Sequence, residues 1–71
     1  MKTFYSRPGC SLCDKAEILL QEAGIPYEKI DISNHPELEA EFGWEIPVLL
    51  DGDQVLLKGI FVQDDVKELR E

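Results

Sequence analysis

Cys10 and Cys13 are the only two cysteines among the 71 residues. Their spacing sets what they can do. On a helical turn, side chains three apart lie about 5–6 Å from each other, within reach of a disulfide. A bridge closing so small a loop removes little entropy from the unfolded chain, so the pair is not there for stability. Arg7, Pro8 and Gly9 interrupt the preceding stretch and put Cys10 at a helix start, where free N–H groups and the helix dipole favour an anion. A thiol so placed ionises below the ordinary pKa of about 8.5 and is the better nucleophile. Arg7 and Lys15 add positive potential nearby. Cys13, one turn in, is expected to be more buried and less ionised. The division of labour that follows is attack by Cys10 on a disulfide, giving a mixed disulfide, and resolution by Cys13 or by glutathione. Two plainer readings compete: a pair of buried cysteines acting as small hydrophobes, and half of a zinc site. Zinc wants four ligands, and His35 is the only further imidazole or thiol. A C-x-x-C at a strand-to-helix junction in a small α/β chain favours redox chemistry over both.

The elements that must hold the cysteines are readable around them. Lys2 to Ser6 reads as a strand, with Thr3, Phe4 and Tyr5 favouring extended backbone. Ser11 to Ala23 reads as a helix: Leu12, Ala16, Leu19, Leu20 and Ala23 share one face, Gly24 supplies the left-handed end and Pro26 follows. Tyr27 to Ile32 is a second strand. Residues 36 to 42 form a short helix capped by Asn34 or His35, with Leu38 and Phe42 on its buried face, and Gly43 ends it. Pro47 to Leu50 is an apolar third strand, Asp51-Gly52-Asp53 a hairpin turn, and Gln54 to Lys58 a fourth strand. Val62, Val66 and Leu69 share a face of a last helix. The order is therefore β-α-β-α-β-β-α. The first two strands are parallel with a right-handed crossover and the last two antiparallel. This gives an α/β fold: a four-stranded mixed sheet flanked by three helices, with helices on both faces.

Ile46-Pro47 is a second signal. Proline lacks a ladder donor and belongs at a strand's first residue. Only about 5% of X-Pro bonds are cis, so the residues alone favour a trans bond. A cis bond would set the Ile46 backbone N–H and C=O beside the cysteines, ready to pair with an extended substrate.

Fifteen acidic against seven basic side chains give a net charge of -8. That excludes a nucleic-acid face, which needs clustered basic residues, and suits a soluble monomer. The apolar fraction of 44% is that of a globular chain rather than a disordered one. No apolar run reaches the roughly 18 residues of a membrane span, and no basic, apolar leader precedes Pro8-Gly9-Cys10. The expectation is one domain over residues 1–71, no membrane and a cytoplasmic location.

The stretch Phe4-Tyr5-Ser6-Arg7-Pro8-Gly9-Cys10-Ser11-Leu12-Cys13, followed by Lys15, Ala16 and Leu20, resembles the opening of glutaredoxins. It is most similar to the short glutaredoxin-like branch with a Pro-Gly-Cys-x-x-Cys start. Asp31 and Ile46-Pro47-Val48 also fall where that family has them, so the resemblance spans nearly the whole chain. It implies the thioredoxin/glutaredoxin-like fold, a cis Pro47, thiol–disulfide exchange with Cys10 and Cys13 as the redox-active disulfide, and no bound cofactor or metal. It implies glutathione as reductant and co-substrate, met by Arg7 at a carboxylate, by the backbone of Ile46 and by Asp64 and Asp65 at the γ-glutamyl end. Disulfide-containing proteins or small molecules are the implied substrates. The sequence departs from the pattern in several places. Only Gly59 stands where the family has a Gly-Gly pair, the acidic pair lies several residues further on, and Glu45 stands where Thr is common. The middle helix is short, and the net charge of -8 opposes anionic glutathione.

Three alternatives stay in view: an electron donor fed by a thioredoxin-type reductase without glutathione, which the lost Gly-Gly pair favours; an iron–sulfur or metal carrier through Cys10, where small Ser11 leaves room for a second chain; and a non-catalytic interaction module that keeps the fold. Among other residues, Trp44 fits either a substrate wall near Pro47 or core packing. Tyr5 flanks Cys10 or not according to its strand face. His35 reads as a solvated turn residue, Glu37, Glu39 and Glu41 as a solvated helix face, and Lys29, Lys67 and Arg70 as surface charges.

Overall fold

Alternation along the first strand sends Phe4 and Ser6 to one side of the sheet and Tyr5 to the other, and both sides are covered. The computed structural model describes residues 2–69; Arg70 lies outside them. The elements are β1 (Lys2–Ser6), α1 (Ser11–Glu22), β2 (Tyr27–Asp31), a 3₁₀ turn (Ile32–Asn34), α2 (Pro36–Phe42), β3 (Val48–Asp51), β4 (Gln54–Lys58) and α3 (Gln63–Glu68). The sheet order is β2-β1-β3-β4. β1 runs parallel to β2 and antiparallel to β3, and β3 runs antiparallel to β4. This is the four-stranded mixed sheet with three helices that the sequence predicts.

On one face Phe4, Ala16, Leu20, Ile25, Leu49, Phe61 and Val66 form the core under α1 and α3. Phe4 is its centre, edge-on to Tyr27 at 5.5 Å and to Phe61 at 6.1 Å. On the other face Tyr5 packs against Phe42 of α2 at 5.1 Å. Because both faces are covered, Val48, Leu49 and Leu50 are all buried, which is why β3 reads as an unbroken apolar run. Leu38 and Phe42 do face the sheet, but α2 buries no residue fully. The ladder between β3 and β4 shifts between Leu49 and Leu50, skipping Leu56.

Local signals act where the sequence places them. After α1, Gly24 adopts φ 71, its N–H donates to Gln21 O and the Ile25 N–H donates to Leu20 O, both at 3.1 Å. That is a Schellman end, with Ile25 and Leu20 meeting in the core as its apolar contact. Boundaries move by a residue: Ala23 is the cap of α1, Ile32 turns into the 3₁₀ segment and Pro47 precedes β3. Two face assignments need correction. Leu12 is 40% exposed, and the buried stripe of α1 is Cys13, Ala16 and Leu20. Val62 is the exposed N-cap of α3, and Phe61 takes the buried place expected of it. No described helix is long and apolar enough to cross a membrane.

Candidate active site

The turn into α1 positions the first cysteine. Pro8 pre-sets φ at the second position of a four-residue turn, Gly9 takes φ 80 at the third, and the Cys10 N–H closes it on the Arg7 carbonyl at 3.3 Å. Pro then Gly at these positions is the signature of a type II turn. It delivers Cys10 as the N-cap of α1, with extended φ and ψ, and the Cys13 backbone N–H donates to Cys10 Sγ at 3.3 Å. The sulfur thus sits where the helix offers its free donors.

The two thiols live in different surroundings. Cys10 is partly exposed and Cys13 only 2% exposed. Burial pushes the Cys13 thiol up to about 12, helped by its hydrogen bond with Cys10 and by the charges at Cys10 and Asp14; the Arg7 backbone works the other way. Among the described residues no three His, Cys, Asp or Glu gather in a way that could hold a metal.

Strand register brings Ile46 and Pro47 to the same end of the sheet. Tyr5 pairs with Val48 and Val48 with Lys58, so the residues just before β3 lie beside the residues that follow β1. The Ile46–Pro47 peptide is cis, against the trans bond that the residues alone favour. The Gly59 N–H bridges Glu45 O at 3.0 Å and Pro47 O at 2.9 Å, which ties this loop to the end of β4. One expectation is corrected here. The Ile46 N–H donates to the Phe42 carbonyl at 3.0 Å, so it is not the free donor that the sequence leads one to expect.

The charged residues are also engaged. Arg7 Nη2 lies 3.1 Å from Glu39 Oε1, while its Nε is buried without a hydrogen-bond partner among the described residues. Lys58 Nζ lies 2.7 Å from Glu45 Oε2, which answers the negative charge that the sequence places before Pro47. Asp64 and Asp65 are exposed in the first turn of α3. Gln63 beside them borders Leu19, Glu22 and Ala23, about 9 Å or more along α1 from Cys13 at 1.5 Å per residue. Strand register and the turn into α1 thus place Arg7, Cys10, Cys13, Ile46 and Pro47 at one end of the sheet, and Asp64 and Asp65 belong to the exposed first turn of α3. Trp44 is 99% exposed, which removes core packing as its role, and it borders a hollow with Arg7, Glu39 and Gly43. Tyr5 lies on the α2 face. His35 is an exposed cap residue of α2 without a side-chain cap bond.

Sequence reading missed one group beside Cys13. Lys29 Nζ donates to Glu17 Oε1 at 3.0 Å, the Tyr27 hydroxyl donates to Glu17 Oε2 at 2.7 Å, and Gln21 Nε2 donates to the Tyr27 oxygen at 3.3 Å. Glu17 and Lys29 share a cavity wall with Cys13. The signal available was only Glu17 four residues after Cys13, on the same side of α1.

A family model described as glutaredoxin-like domain (DUF836) matches residues 3–70. No curated protein matches. Among solved structures, the structural genomics target protein XcR50 from X. campestris is 28% identical with a TM-score of 0.87, over 97% of this chain and 93% of that one. The glutaredoxin-like protein NrdH-redoxin from Escherichia coli, described there for its thioredoxin-like activity profile, is 25% identical with a TM-score of 0.73, over 96% of this chain and 92% of that one.

Proposed function

Since the chain belongs to the glutaredoxin-like domain family, we propose that it is a thiol–disulfide oxidoreductase in which Cys10 is the nucleophile and Cys13 the resolving thiol. The observation that carries this is the asymmetry of the pair: an accessible sulfur at the N-cap of α1, and a buried one three residues on. The Cys10 thiolate attacks a substrate disulfide; a Cys10–substrate bond forms, the substrate S–S bond breaks and one substrate sulfur leaves as thiolate. Cys13 then attacks Cys10 Sγ, the intramolecular disulfide forms and the second substrate sulfur leaves with its electron pair. Two electrons have passed to the substrate. The cis Pro47 loop and the Ile46 carbonyl form the wall against which the substrate strand lies. Such a reductant works in a reducing compartment, the cytoplasm.

For the electron source, the geometry favours a thioredoxin-type reductase over glutathione. Glutathione is anionic, and Arg7, the cation it would use, is paired with Glu39. The Ile46 N–H that would hold its cysteinyl part is taken by the Phe42 carbonyl. The similar E. coli protein, glutaredoxin-like with a thioredoxin-like profile, is consistent with this reading. The test is reduction of a protein disulfide with either electron source. Turnover with NADPH and a thioredoxin-type reductase, at least tenfold faster than with glutathione, supports the reading. Equal or faster turnover with glutathione returns the role to glutathione.

A further inference from the structure

The two faces of the sheet are not equally covered. Under α1 and α3 the core side chains are buried. Across the other face lies α2, which buries no residue fully. There Tyr5, Leu38 and Phe42 are half-buried, and Val55 on β4 is 42% exposed. With Leu50 these side chains floor an open groove of about 560 Å3 between α2 and the β3–β4 hairpin.

The groove has a direction. It begins at Glu45, two residues before the cis Pro47, and ends at Gly52 and Asp53 in the hairpin turn. The four residues of β3, at about 3.3 Å each, make the floor about 13 Å long, the length of an extended segment of about four residues. Its rim is acidic. Glu41, Glu45 and Asp53 line it, and no described Lys or Arg does. Lys58 matches Glu45, whereas Glu41 and Asp53 make no ion pair among the described residues.

We propose that this groove holds the polypeptide flanking the reacting cysteine of a protein substrate, and that it selects segments in which apolar and basic residues alternate. The inference rests on the dithiol reading above and names its substrate class.

Position, shape and charge choose this occupant. Glu45 belongs to the same loop as Pro47, and the Gly59 N–H holds the carbonyls of both, at 3.0 and 2.9 Å. The groove therefore continues from the wall against which the substrate strand lies. In an extended segment alternate side chains point to opposite sides. Every second residue meets the apolar floor, where burial is favourable, and the long stems of the basic residues between them reach the two unmatched carboxylates. An acidic segment would meet like charge at the rim. So would a second copy of this chain, which brings a net charge of -8 to an acidic edge.

The test uses the reduced full chain and thionitrobenzoate mixed disulfides of cysteine alone and of cysteine peptides. One peptide tail alternates leucine and lysine, a second leucine and glutamate, a third serine and lysine, each placed on either side of the cysteine. Attack by Cys10 forms a bond to the peptide sulfur, breaks the peptide–thionitrobenzoate bond and releases thionitrobenzoate as a coloured thiolate. Stopped-flow absorbance then gives the second-order rate constant. The leucine–lysine tail is expected to react about three- to twentyfold faster than the leucine–glutamate tail at low salt, the effect of one or two exposed ion pairs. That ratio should fall as salt is added, and the serine–lysine tail should be slower than the leucine–lysine one. Glu41→Lys with Asp53→Lys should abolish or reverse the preference and leave the rate with cysteine alone nearly unchanged; the neutral pair Glu41→Gln with Asp53→Asn should reduce it. Glu22→Lys with Glu68→Lys makes the same change of net charge on α1 and α3 and should keep it. Equal rates for the lysine and glutamate tails overturn the proposal and leave the dithiol reading standing. So do a preference lost alike in both lysine pairs, which assigns it to net charge, and a serine–lysine tail as fast as the leucine–lysine one. A dimer in sedimentation that Val55→Glu dissociates puts a second copy in the groove and also overturns it. No release from cysteine–thionitrobenzoate overturns both readings.

Discussion

Cys10 and Cys13 differ because of one turn of helix. The helix start leaves Cys10 at the surface, and the same helix carries Cys13 under the sheet edge. A thiol pushed up to about 12 is almost wholly protonated at neutral pH, so alkylation of the reduced protein should label Cys10 and spare Cys13; mass spectrometry of the labelled peptides reads this directly. The Arg7–Glu39 pair is half-exposed, and such pairs contribute up to about 1 kcal/mol, a factor of about five in affinity. Glu39→Gln is therefore expected to raise glutathione-dependent turnover by up to about fivefold. No change in that rate would show that Arg7 does not meet the tripeptide. The cysteine chemistry was legible because its signals are local. Arg7 and Glu39 stand 32 residues apart, and Glu17 and Lys29 stand 12 apart on different elements. No spacing rule joins either pair before the fold does.

At the scale of elements, the strongest sequence signals were those that punctuate the chain. Pro8-Gly9 and Gly24-Pro26 each set a turn whose hydrogen bonds are seen. Gly24 holds φ 71 with open space around its Cβ position, so Gly24→Ala should cost about 1 kcal/mol through backbone strain alone, read from a urea midpoint. The helix faces were less legible. In α1 the leucines suggested one stripe, yet Cys13 took the buried place and Leu12 the exposed one. Cysteine packs as a small apolar residue, and a periodicity count that sets cysteines aside as chemistry misplaces the stripe by one residue. In α3 a helix of six residues is too short for its periodicity to fix where it begins, and Val62 fell outside.

The whole molecule is small, and its core centres on Phe4, which is fully buried between Tyr27 and Phe61. Phe4→Ala should cost about 3–5 kcal/mol, a large share of the roughly 5–15 kcal/mol that holds a domain folded, and should leave little folded protein at physiological temperature. Acid should also weaken the fold. The Tyr27 hydroxyl, and then Lys29, hold the Glu17 carboxyl below its ordinary 4.5. Its contribution is complete above that value and is lost as pH falls through the lower, folded one. Stability should thus fall below about pH 4.5, and Glu17→Gln should flatten that part of the curve.

Trapping the first covalent intermediate is the most direct test of the account. Reduced Cys13→Ser, mixed with a protein disulfide substrate and read by intact and peptide mass spectrometry, is predicted to accumulate a mixed disulfide on Cys10, while Cys10→Ser forms none. An adduct that forms equally well through Cys13 in Cys10→Ser, or none in either variant, would contradict it.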